Sequence, residues 1–235
     1  MVLICIFSTG SAFAELLNKK LVLGVVQFPP LVVVDSNTYD CIGPAIDASK
    51  TLLTSLGYSV RVECVPAARL YSLIESGLVD ITVNVRSTGA LVQNVDFVDI
   101  PFSYLNLGLV KNLSLEDDKS VAAIRGFDYL GLRNELRDKG FTFFDLPSSN
   151  DAVNLFIHER TANLLTYLEP YEYYLKQQSV SFLETKIKLR KQIPTYFAVS
   201  RFSKHHDSLI KALNKFAKVH DVGTFIDYFS TDNSD

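Results

Sequence analysis

SVRVECVPAARLYSLIESGLVDITVNV, Ser59 to Val85, carries a strand, a helix and a second strand in 27 residues. Ser59 to Val65 alternates polar and apolar side chains, the period of a strand. Ala67 to Ser76 sets Leu70, Leu73 and Ile74 on one helical face, and Gly77 stops the helix. Val79 to Val85 is again a strand. Upstream, Leu21 to Gln27 (LVLGVVQ) is a nearly continuous apolar run, as in a strand buried on both faces, and Pro29-Pro30 ends it. Gly43-Pro44 opens a helix, because proline suits the first helical position. Ile46, Leu52, Leu53 and Leu56 follow at helical spacing until Gly57. The order β-α-β-α-β predicts an α/β fold with a parallel sheet and crossover helices.

The pattern repeats downstream. Strands are expected at Ser120 to Ile124, Phe141 to Leu146 and Ala162 to Tyr167. Helices are expected at Asp128 to Lys139, Asp151 to Glu159 and Pro170 to Gln178. Ile187 to Val199 reads as extended, and helices follow at His206 to Lys218 and Gly223 to Phe229. The joins near Pro101 to Leu107 and Ile193 to Val199 then link two α/β lobes, residues 15–105 plus 199–235 and residues 106–198. A cleft between such lobes is a usual place for a small ligand.

Composition narrows the function. The chain has 235 residues, of which 48% are hydrophobic and 21% charged, which excludes intrinsic disorder. Its net charge of −3 lacks the basic excess of a general nucleic-acid binder. No apolar run is long enough to span a bilayer. Met1 to Ala14 (MVLICIFSTGSAFA) has an apolar stretch followed by Ala12-Phe13-Ala14, the form of a signal-peptidase site with cleavage before Glu15. The alternative is a buried first strand. Cys5 makes a poor lipoprotein cysteine, since Ile4 precedes it, so a soluble exported protein is expected. Cys41 and Cys64 then form either a disulfide or two buried thiols.

Several chemistries have no signature. The four histidines, His158, His205, His206 and His220, show no metal spacing, and no CxxC pair exists, so neither a metal nor a cofactor is expected. There is no G-x-S-x-G elbow and no phosphate loop. Lys186, Lys188, Arg190 and Lys191 alternate with Ile187 and Leu189, as in a strand with a wet face. Asn112-Leu113-Ser114 has the form of a glycosylation acceptor.

The ordered set LVLGVVQFPPLVVVD (Leu21–Asp35), GPAIDASKTLLTSLG (Gly43–Gly57), PAARLYSLIESGLVDITVNV (Pro66–Val85) and VDFVDIPFS (Val95–Ser103) resembles the family 3 extracellular solute-binding proteins of bacterial ABC importers. AIRGFDYL (Ala123–Leu130) and NDAVNLFIHERTANLL (Asn150–Leu165) match more weakly. The resemblance implies the type II periplasmic binding fold, with two mainly parallel α/β lobes joined by two hinge strands and closing on one small ligand. It implies no catalysis, a monomer in the periplasm, and an inner-membrane permease as partner. A free sensory module for a membrane signalling protein, or an exported dehydratase, are the alternatives on the same fold.

The resemblance also implies site residues. Phe28 matches an aromatic wall, against a role as core filler. Arg69 and the Arg125-Gly126 corner match anion contacts, against surface ion pairs. Tyr39, Tyr104 and Tyr129 are further residues for the cleft wall. Glu169 matches the acid that holds an amine, although a shift of one residue makes that position Leu168. The arginine expected five residues before Asp96-Phe97 is Leu91, which cannot hold a carboxylate, and Arg86 lies nearby as its substitute.

Overall fold

The computed structural model describes residues 19–178 and 183–231. The expected signal peptide and Cys5 lie outside them. Among the described residues are eleven strands and seven α-helices. The first unit is β1 (Lys20–Val25), the hairpin β2 (Val33–Val34) and β3 (Cys41–Ile42), α1 (Pro44–Ser55), β4 (Ser59–Cys64), α2 (Ala67–Glu75), β5 (Ile81–Asn84) and β6 (Val95–Phe97). The second unit is β7 (Ser103–Asn112), β8 (Ser120–Ile124), α3 (Leu132–Asp138), β9 (Thr142–Leu146), α4 (Ser149–Ile157), β10 (Asn163–Tyr167) and α5 (Leu168–Gln178). Strand β11 (Thr185–Ser200) returns to the first unit, and α6 (His206–Val219) and α7 (Phe225–Thr231) complete it.

The strands run in the order β4-β1-β5-β11-β7-β10-β8-β9, with β6 also on β11. Pairs β1–β4, β1–β5, β8–β9 and β8–β10 are parallel. Pairs with β7 or β11 are antiparallel, so each half of the sheet is mixed. Strand β11 changes partner part-way: Thr195 pairs Ser103 of β7, and Tyr196 pairs Asn84 of β5.

Local chemistry sets the helix ends. Gly43 precedes Pro44 at φ +130, where a Cβ would strike Leu31 O at 2.6 Å. Ser148 is extended and its hydroxyl accepts from Asp151 N at 3.1 Å, which caps α4. Helix α3 starts later than Asp128. The Asp128 carboxylate accepts from Gly131 N at 2.7 Å, and Tyr129 and Leu130 are left-handed at φ 53 and 58. A turn therefore occupies the first residues expected to be helical.

Both faces of each half-sheet are covered. In the first, Leu21, Leu23, Leu52, Leu53, Phe197 and Phe225 fill one side, and Leu70, Ile74, Val79, Leu91 and Val95 the other. In the second, Val110, Ala122, Val153, Phe156, Leu164 and Leu168 pack beneath α4 and α5. Each fully buried leucine contributes about 2 kcal/mol. Buried Asp80 accepts from Val22 N at 2.7 Å and from the Ser203 hydroxyl at 2.5 Å, which ties β1 to the turn before α6. Cys41 and Cys64 are joined in a disulfide, Cα to Cα 5.7 Å, fastening β3 to the end of β4. Asn112 is fully buried, and its side-chain oxygen accepts from Ser114 N, so the amide of the Asn-Leu-Ser triplet faces inward. The run from Lys186 to Lys191 lies exposed on β11, where Arg190 meets Glu172 at 3.9 Å.

Candidate functional site

The two units meet at the carboxyl ends of their parallel strands, the place where open α/β sheets bind ligands. Phe28, just after β1, sets its ring edge to face against Tyr167 at the end of β10, centroids 5.6 Å apart. Leu31 and Val85 of the first unit join Phe28 against Leu105, Leu107, Leu165 and Ile193 of the second. Phe28 is thus an inter-unit contact.

A polar layer borders this apolar seam. The Tyr71 hydroxyl, from α2, is hydrogen-bonded to Asn84. Asn84 Oδ1 also accepts from the Thr88 hydroxyl at 2.6 Å and from Val85 N at 2.9 Å. Burial raises the Tyr71 phenol pKa. Burial, reinforced by the neighbouring Tyr71 and Glu169, pushes Tyr167 up to about 12. Both phenols are therefore neutral near pH 7. Glu169, in the first turn of α5, accepts from Asn106 N at 2.8 Å and from Asn106 Nδ2 at 2.9 Å, both through Oε1. Its other oxygen, Oε2, is buried and has no hydrogen-bond partner among the described residues. A buried carboxylate oxygen without a donor is costly, and a ligand cation would satisfy it.

The other expected site residues are spread around this seam. Leu91 is fully buried with Leu70, Ile74 and Val95, so the place of the expected arginine is core. The Arg86 guanidinium donates to Val98 O at 3.1 Å and stacks over the Tyr196 ring at 4.1 Å. Arg69 is exposed in the first turn of α2. Arg125 and Gly126 are exposed after β8; Arg125 N donates to Leu146 O at 2.8 Å, and Gly126 turns at φ +77. Tyr39 is 78% exposed at the tip of the β2–β3 hairpin. Tyr104 lines a separate shallow groove of about 480 Å³ with Gly223, Thr224, Asp227 and Tyr228 of the C-terminal segment. Leu168 is core, packed under the second half-sheet beside Gly108.

Sequence reading missed three residues that shape the site. Tyr71 and Tyr167 looked like ordinary members of a helix and a strand. Arg133 sat in a polar helix but is only 7% exposed. It donates to Ile124 O (2.7 Å), Phe127 O (2.8 Å) and Asp145 Oδ1 (2.5 Å), and so fixes the corner that carries Arg125 and Gly126. Tyr129 supports the same corner: its buried hydroxyl accepts from Ile124 N at 2.9 Å, and burial raises its pKa strongly.

No family model matches the sequence, and no curated protein matches it. Solved structures do. An ancestral arginine-binding protein bound to arginine superposes with a TM-score of 0.71 at 19% identity, over 91% of this chain and 97% of that one. The chain has the type II periplasmic binding fold. A protein of Wolinella succinogenes DSM 1740, assigned as a binding component of an ABC transporter and complexed with lysine, shares this fold at TM-score 0.72. Its identity is 16%, with 91% of this chain and 95% of that one covered. A histidine kinase sensor domain with similarity to periplasmic binding proteins gives 0.71 at 15% identity, covering 91% and 95%. In this fold the two units are lobes, and the seam from Phe28 to Tyr167 lies between them.

Proposed function

We propose that the chain is a solute-binding protein that closes its lobes, residues 15–105 with 199–235 and residues 106–198, on a small polar ligand bearing a cationic head. The observation that carries this reading is the Oε2 of Glu169, unpartnered among the described residues, next to Tyr167 and the inter-lobe Phe28 contact. A cation there gains a charge-assisted hydrogen bond and aromatic faces. Arg69 and the Arg125-Gly126 corner are left to meet an anionic end of an amino-acid-like ligand. The similar structures bound to arginine and lysine support the same class of ligand. Export through Met1 to Ala14 and delivery to an ABC permease by a monomer belong to this reading. A second reading, ligand sensing for a membrane kinase, is favoured by the similar sensor domain.

The test is a thermal-shift and calorimetry panel of arginine, lysine, glutamine, glutamate and their decarboxylated amines. A cationic ligand is expected to raise Tm, and Glu169→Gln to weaken it by roughly 10- to 100-fold. A panel without any shift, or a hit untouched by Glu169→Gln, rejects the reading. Retention of binding by the decarboxylated amine means that Arg69 and Arg125 do not hold the ligand.

A further inference from the structure

The chain crosses from the first lobe to the second at residues 98–103 and returns at 193–196. Arg86, just beyond β5, touches both crossings. It donates to Val98 O at 3.1 Å and covers the ring of Tyr196 at 4.1 Å, with Phe97 at 6.0 Å. Phe97 and Tyr196 also meet each other edge to face at 6.4 Å. A guanidinium suits this place because it can stack on a ring while donating in its own plane.

We infer that Arg86 is a positioning residue that braces the root of the hinge. It binds β5, the end of β6 and β11 into one unit where both crossings leave the first lobe. Beyond the brace, the crossings are held to each other by the backbone bond from Phe102 N to Thr195 O, 2.7 Å. Hinge closure is absorbed by a few residues at element ends. Asp99 N is bonded to Asn214 of α6 at 3.0 Å, and Pro101 O and Phe102 O accept from Phe225 N and Ile226 N at 3.2 and 2.9 Å. With Arg86 in place, the 95–102 and 196–199 segments therefore move with the first lobe, and the residues left to absorb closure are Ser103 and 193–195. This inference depends on the two-lobed fold and not on which ligand the cleft takes.

Hydrogen exchange on the full chain, read by mass spectrometry, tests it with Arg86→Met, Arg86→Lys and Tyr196→Phe. In Arg86→Met, the amides of Val98, Phe102 and residues 196–198 are expected to exchange about two- to fivefold faster, the scale of an exposed cation–π contact. Amides of β10 and α4 keep their rates. Arg86→Lys keeps a cation over the ring but loses the planar fork, so it falls between. Tyr196→Phe keeps the ring and matches the native chain. Acceleration spread evenly over the molecule overturns the inference, since it marks plain destabilisation. Unchanged exchange at the crossings also overturns it, and a lost ligand-induced thermal shift in that case returns Arg86 to the ligand.

Discussion

At position 91 a single side chain decides what the cleft cannot do. Leu91 lies fully buried among Leu70, Ile74 and Val95, so no guanidinium reaches the inter-lobe seam from there. Leu91→Arg is expected to bury an unpaired charge and to destabilise by about 4 kcal/mol. Calorimetry should read a fall in Tm of roughly 10 °C, and a variant as stable as the native chain would contradict the placement. The departure at Leu91 was legible in the sequence because spacing to Asp96-Phe97 fixes the position. Glu169 was legible as a candidate, but its unpartnered oxygen was not, since Asn106 approaches it from a distant strand. Arg133 was illegible for the same reason: its partners Ile124, Phe127 and Asp145 converge only when β8 and β9 pair.

Elements were read more reliably than side chains, because hydrophobic period is local and tertiary pairing is not. Strand β1 and helices α1, α2 and α6 stand where apolar spacing puts them. Strand β7 was harder: only its first residues read as extended, although it runs from Ser103 to Asn112. Its exposed Tyr104 and its Gly108 blur the alternation, and Gly108 is there because Leu168 packs over it. Two links between elements yield predictions. The Cys41–Cys64 disulfide spans 23 residues and fastens the hairpin to β4. Replacing both by serine is expected to cost about 3 kcal/mol, from the size of the closed loop. Denaturant melts of the double variant check this; an unchanged midpoint contradicts it. Asp96 joins β6 to the turn before α6 and to the first residue of that helix, accepting from Arg201 at 2.7 Å and from His206 at 2.9 Å. The Arg201 hydrogen bond holds its pKa below the ordinary 3.8. A depressed carboxylate stabilises above its unfolded pKa, and that contribution fades as pH falls through the lower folded value. Asp96→Asn should therefore lower Tm near neutral pH, and the gap to the native chain should close below 3.8; a gap constant with pH disproves the coupling.

For the whole molecule, the lobes meet through a small apolar seam whose first-lobe share is Phe28, Leu31 and Val85. An edge-to-face ring pair is worth about 1 kcal/mol beyond the area it covers. Phe28→Ala is expected to shift the lobes toward an open arrangement, seen as a larger radius of gyration in solution scattering, with only a modest drop in Tm. Scattering identical to that of the native chain would show that the seam does not hold the lobes together. Strand β11 has another consequence, for the order of assembly. Every strand and helix of the second lobe between β7 and α5 comes from one unbroken stretch, and its sheet is completed by Thr185 to Thr195 of β11. The first lobe waits longer: β5 keeps a bare edge until Tyr196 to Val199 arrive, and Phe225 joins its core later still. A nascent chain therefore carries an unfinished sheet from the emergence of β5 until that of β11, and any chaperone that guards it has that edge to cover.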